Sequence, residues 1–200
     1  MIIRDFDRPW PHSAITSVFT QEDYLTILNY SYKVLPDIDI SRFHHNGYIN
    51  KGCSSKMVEE LRKEEPDVTR ICETIFARAL KHIGMRYHPD HFQIQWDLMP
   101  PDYTYGIHTD TNAKTASMIV YLGEVGRGTV LHERKDSEPA KEIPFVTNSA
   151  LLFKRSGQSF HSIDMRGITS LRRTLNMIYV NDDINLYHYT EVDKSPLGKL

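Results

Sequence analysis

Apolar residues recur along this chain with two different periods, and the change falls near residue 90. In "PDVTRICETIFARALKHIGM", Val68, Ile71, Ile75, Ala79 and Ile83 return every three or four positions, which is the period of one helical face. Gly84 supplies the stop, since the left-handed closing residue of a helix is easiest for glycine. "TQEDYLTILNYSYK" predicts an earlier helix, with Thr20 and Asp23 in capping-box positions. "SSKMVEELRKEEP" predicts a short helix ended by Pro66. "HSAITSVF", ahead of them, reads as a strand.

Beyond residue 90 the segments shorten and turn β-like. "FQIQWDL", "YGIHTD", "TASMIVYL", "GTVLHE", "SALLFK", "SFHSIDM" and "RTLNMIYV" are rich in β-branched and aromatic residues, with Pro, Gly, Asp and Asn between them. So many short strands in about ninety residues predict a β-sandwich or jelly roll and exclude a parallel α/β sheet. The expected class is mainly β (α+β), with the N-terminal helices packed on one outer face. One domain is expected over residues 1–200, its β core about 90–180. The tail from Asn181 is polar, and its last six residues are expected to be loose.

Composition removes several function classes. The formal charge is −2 over 200 residues, with no basic stripe, so no electrostatic footprint for nucleic acid is visible. No run reaches the length of a membrane span, and "MIIRDFDRPWPH" lacks the apolar stretch of a signal peptide. Two cysteines, Cys53 and Cys72, make no disulfide framework. The expected setting is cytoplasmic.

The candidate chemistry lies in "YGIHTDTN". Alternate residues of a strand share a face, so His108 and Asp110 project together. His161, on a late strand in "SFHSIDM", offers a third ligand. Two His and one carboxylate that leave open positions are the set that holds non-haem Fe(II) for oxygen chemistry. Structural zinc would want cysteines, and neither lies near these strands. In "LRRTLNMIYV", Arg172, Thr174 and Asn176 share a face, with Arg173 on the other. An inward Arg two residues before a hydroxyl is shaped to hold a carboxylate. Beside a metal, this points to a dicarboxylate bridging both.

These residues together resemble the Fe(II)- and 2-oxoglutarate-dependent oxygenases of the prolyl-hydroxylase-like kind. "HTD", the distant "SFH" and "RRT" carry the likeness, with "PWPHSAITSVFTQED" near the start and "HTDTNAK", "VYL" and the Gly128–Thr129 pair further on. It covers roughly residues 8 to 180, although its specific part is four residues in order and spacing. The resemblance implies a double-stranded β-helix, with His108, Asp110 and His161 on iron. Arg172 would take the far carboxylate of 2-oxoglutarate, with Thr174 beside it. It also implies O2 as co-substrate, hydroxylation of an unactivated C–H bond in a small molecule or protein residue, and release of succinate and CO2. One departure is plain. Many relatives carry a Tyr on the strand before the metal motif, whereas this chain offers Gln95, Asp97 and Met99 on one face and Tyr103 only in the loop.

Two other readings fit the same residues: a cupin-type metal protein without 2-oxoglutarate, and a non-catalytic β-sandwich interaction module with the three ligands dispersed. Among the remaining residues, Lys114 is within reach of a substrate anion but reads more simply as a turn lysine. His132 is placed near the pocket rim. Adjacent His44 and His45 face opposite ways and read as exposed or capping, and His82, His88 and His91 flank a helix end. Trp10 and Trp96 belong to the core or its edge. "DISRFHHNGYINKGCSSK" is the expected substrate-covering loop.

Overall fold

A computed structural model describes residues 1–36, 49–124 and 126–181. The chain runs β1 (Ile2–Phe6), β2 (His12–Thr16), α1 (Gln21–Val34), β3 (Ile49–Cys53), α2 (Ser55–Glu64) and α3 (Pro66–His82). There follow β4 (Phe92–Met99), β5 (Thr104–His108), β6 (Lys114–Leu122), β7 (Thr129–His132), β8 (Pro139–Ile143), β9 (Ser149–Lys154), β10 (His161–Asp164) and β11 (Arg172–Val180). The strands form two antiparallel sheets. The larger has the order β1-β2-β9-β6-β11-β4-β3, and the smaller β5-β10-β7-β8. The fold is mainly β, a jelly roll with helices on one side.

Alternation along the strands of the large sheet divides its side chains between two environments. Leu175 and Met177 of β11, Met118 and Val120 of β6, and Ile94, Trp96 and Leu98 of β4 are buried together with Ile27, Val58, Ile71, Phe76 and Leu80 of the helices. Burial of this apolar layer is the main force holding the helices to the sheet. The opposite face looks at the small sheet. There Tyr121, Leu151 and Phe153 pack with Trp10, Leu131 and Ile143. Near β3, β4 and β11 this second face turns polar, carrying Gln95, Asp97, Arg172, Thr174 and Asn176.

Local signals account for the helix ends. The Thr20 hydroxyl accepts from Asp23 N at 3.1 Å, and Ser54 caps α2 the same way at 3.4 Å. Pro66 both ends α2 and occupies the first position of α3, where its missing N–H would have had no partner. Gly84 takes φ +70°, and Met85 N returns to Leu80 O at 2.8 Å, which closes α3.

Three strands were not legible as such. β1, β3 and β8 lie at sheet edges, and the exposed β1 and β8 are polar along much of their length. The expected covering loop is corrected in part. Ile49–Cys53 pair with β4 as β3, and Ser54 opens α2. Its remainder, with His44 and His45, lies outside the described residues, as does the tail beyond Asn181. Among the described residues no helix is long and apolar enough to cross a membrane.

Candidate metal centre

His108 ends β5 and His161 begins β10, and the two are directly paired across the small sheet. Their rings lie 4.3 Å apart between centroids. Asp110, two residues past His108, turns in beside them. One ligand atom from each of the three falls within 4.8 Å of the others. Asp110 and His161 are buried, and His108 is half-buried, so the cluster is closed on one side and open on the other.

Hydrogen bonds fix what each ligand presents. His108 Nδ1 lies 2.9 Å from the Gly106 carbonyl oxygen, and His161 Nδ1 lies 2.9 Å from that of Ser159. A carbonyl only accepts, so each Nδ1 carries the proton and each Nε2 offers its lone pair. Asp110 Oδ2 accepts from Ser117 Oγ at 2.7 Å, and Oδ1 from Lys114 Nζ at 2.9 Å. Arg155 Nε donates to the Asp110 carbonyl at 3.1 Å and steadies the turn. Ligands oriented by such outer partners are typical of metal sites.

The electrostatics agree with the geometry. Burial, then the neighbouring His161, pushes His108 down to about 4. Burial also lowers His161. For Asp110, burial works toward protonation, but Lys114, His161 and the Ser117 hydroxyl outweigh it and hold the carboxyl below its usual range. At neutral pH the cluster is therefore two neutral imidazoles and one carboxylate, the protonation state a divalent ion requires. The donor set fits a non-haem divalent metal with exchangeable positions.

On the polar face of the large sheet lies Arg172, which is 1% exposed. Its Nε donates to the Arg127 carbonyl at 2.8 Å, and its Nη1 lies 3.2 Å from Met99 Sδ. Its carbon Cζ stands 5.5 Å from the Tyr121 ring centre. No carboxylate lies within ion-pair distance among the described residues. Thr174, two residues on, buries a hydroxyl with no hydrogen-bond partner. Arg173 points the opposite way, donating to Ser31 O at 2.9 Å and stacking over Tyr32 in α1. A buried guanidinium that Asp97 reaches only at longer range, and a buried free hydroxyl on the same face, both with no anion in contact, are what a carboxylate ligand would satisfy.

Several expectations need adjusting. Lys114 is the partner of Asp110 rather than a lysine facing a substrate anion. His132 is not at a rim: it is 3% exposed, with Nε2 2.8 Å from Ser162 Oγ. Tyr103, expected in the loop, packs with Met99, Ile163 and Met165. Trp10 and Trp96 are core residues. Two residues quoted for the resemblance were given no role beside Arg172. Tyr121 donates its hydroxyl to Thr129 at 2.9 Å, and Thr129 lies 3.5 Å from Arg172 Nη2. The signal was present, because Tyr121 has the parity of Ser117 on β6 and so shares the face of Asp110.

Fold and site together define a jelly-roll protein with a facial two-His, one-carboxylate constellation between its sheets. That fold is the one found in solved prolyl hydroxylases and in a plant dioxygenase. A prolyl hydroxylase from Trichoplax adhaerens, solved with a hypoxia inducible factor oxygen degradation domain peptide fragment, aligns with a TM-score of 0.60 at 12% identity, over 84% of this chain and 83% of that one. A Pseudomonas putida prolyl-4-hydroxylase aligns at 0.52 and 15% identity, over 85% of this chain and 92% of that one. The rice dioxygenase for auxin oxidation aligns at 0.57 and 10% identity, over 84% and 73%. No protein-family model and no curated protein matches the sequence. At such identities the likeness is one of fold.

Proposed function

We propose that this protein is an Fe(II)- and 2-oxoglutarate-dependent dioxygenase that hydroxylates a C–H bond of a small molecule or a protein residue. The observation that carries the reading is the pairing of an open His108–Asp110–His161 cluster at the small sheet with a buried Arg172 on the facing polar side of the large sheet, with no carboxylate in contact. His108 and His161 would hold the metal through Nε2 and Asp110 through a carboxylate oxygen. The bound metal with 2-oxoglutarate supplies O2 activation, with succinate and CO2 as by-products. Arg172, with the Thr174 hydroxyl, fixes the far carboxylate and so orients the co-substrate along the face. Ser117 and Lys114 hold Asp110 in place, and the buried layer of Trp10, Leu151 and Phe153 keeps bulk water from the site.

The test is succinate formation from 2-oxoglutarate under Fe(II) and O2, across a panel of amino acids, nucleosides and peptides. Arg172→Ala should raise the 2-oxoglutarate requirement by at least about tenfold, while Arg173→Ala leaves it nearly unchanged and lowers stability. Equal effects of the two variants contradict the co-substrate assignment. A metal protein without 2-oxoglutarate chemistry would release no succinate and would bind its ion equally well as Arg172→Ala.

A further inference from the structure

Resting on that reading, we infer that the wall beside the metal centre is a subsite for a positively charged nitrogen group of the substrate, an amine or guanidine, with Asp97 as its counter-charge. Asp97 lies on β4, opposite Thr174 of β11 and Asn50 of β3, on the face that carries Arg172. It is 3% exposed. Its two oxygens accept only from neutral amides, Gln95 Nε2 at 2.7 Å and Asn176 Nδ2. No cation pairs with it among the described residues. Lys114 is held by Asp110, and the Arg172 donors are directed to Arg127, Met99 and Thr129.

Arg172 and Lys114 attract Asp97 only from beyond ion-pair distance, and burial outweighs them; a buried carboxylate with no cation in contact is costly. The co-substrate cannot relieve it. A 2-oxoglutarate carboxylate on Arg172 would add a second negative charge close by. The missing partner is therefore a cation.

The hydrogen-bonding inventory of the wall points the same way. Because the Asn176 amide turns its NH2 to Asp97, its Oδ1 is left buried and without a partner. Gln93, 2% exposed on the same face of β4, also buries an unpartnered oxygen, Oε1. The open atoms of Asp97, Asn176 and Gln93 accept, and the free Thr174 hydroxyl opposite Asp97 can accept as well as donate, so a ligand that satisfies them brings N–H groups. The wall also lies within reach of the reacting centre. Asn176 stands opposite Ile119, and Ser117, two residues along β6, holds Asp110. Asp97 itself pairs with Thr174, and Thr174 with Tyr121, four residues along β6 from Ser117, so backbone spacing sets Asp97 about 16 Å from Ser117, a span for a long cationic side chain rather than a short amine.

The experiment is calorimetric binding to the full-length protein, with and without Zn(II) and 2-oxoglutarate. The probes are L-arginine and L-lysine against their neutral counterparts L-citrulline and L-norleucine, each free and at the centre of a short peptide. The cationic member of each pair should bind at least about tenfold more tightly, and Asp97→Asn should bring the two within about twofold. Preference among free amino acids or among peptides identifies the source of the group. Asn176→Leu, which removes the free carbonyl and one donor to Asp97, should also weaken cation binding and serves if Asp97→Asn does not fold. Equal binding of cationic and neutral probes, no binding of either, or a preference that survives both variants overturns the subsite. If Asp97-dependent cation binding appears but Zn(II) and 2-oxoglutarate do not bind, the oxygenase reading falls and the subsite stands. If both bind and no cation does, the subsite falls alone.

Discussion

Ser117 shows how one hydroxyl can set the quality of a candidate metal ligand. Its Oγ holds Asp110 Oδ2 at 2.7 Å from within the core, where Lys114 holds the other oxygen from the more exposed side. Ser117→Ala should lower divalent-ion affinity by about 10- to 100-fold with the fold intact, as read by metal titration followed by thermal melting. Unchanged affinity would mean that Lys114 alone positions the carboxylate. Asp97 makes a second residue-scale prediction. Burial raises it from 3.8 to about 6, against the pull of Gln95, Arg172 and Lys114. The folded protein thus keeps a proton that the unfolded chain has released, and this contribution to stability grows as pH falls from about 6 toward 4. Asp97→Asn lacks it. The stability of wild type relative to the variant should therefore rise by up to about 3 kcal/mol between pH 7 and pH 4, in denaturant titrations of both. A pH-independent difference contradicts a raised Asp97.

At the scale of elements, alternation does most of the work, and it made much of the site legible. "RTLNMIYV" already sorts Arg172 and Thr174 from Arg173, because a strand buried on both faces must send neighbours to different layers. The same logic brought His108 and Asp110 together in sequence. It could not bring in Tyr121 or Thr129 as neighbours of Arg172, since that contact needs the pairing of β6 with β11 and the approach of β7 from the other sheet. Nor could it find β1, β3 and β8, edge strands with little apolar pattern to show. Gly128 ties these elements together. A Cβ there would overlap the Ile143 carbonyl oxygen on β8, so only glycine lets β7 start where Thr129 meets Tyr121. Gly128→Ala should cost about 1–3 kcal/mol of stability and weaken 2-oxoglutarate binding by displacing Thr129. Loss of stability with unchanged co-substrate affinity would separate β7 from the pocket.

Across the whole molecule, the two sheets and the helical layer were foreseeable from the switch in period near residue 90, because helix and strand bury apolar residues at different spacings. The order of the strands and the meeting of His108 with His161 belong to long-range pairing, which a periodic pattern does not encode. The proposed function implies linkage: a divalent ion and 2-oxoglutarate that bound only the folded chain would stabilise it. At a hundredfold excess over its dissociation constant a ligand adds about 3 kcal/mol, so the melting temperature should rise with each in wild type and not respond to the ion in Asp110→Ala.

The central claim is that His108, Asp110 and His161 hold one iron that 2-oxoglutarate then chelates. Anaerobic addition of Fe(II) and 2-oxoglutarate to the full-length protein, followed by visible absorption, reads this directly. A weak charge-transfer band that appears in wild type and is lost in His161→Ala is the predicted result. A band of equal strength in both, or none in wild type at saturating concentrations, would contradict the assignment.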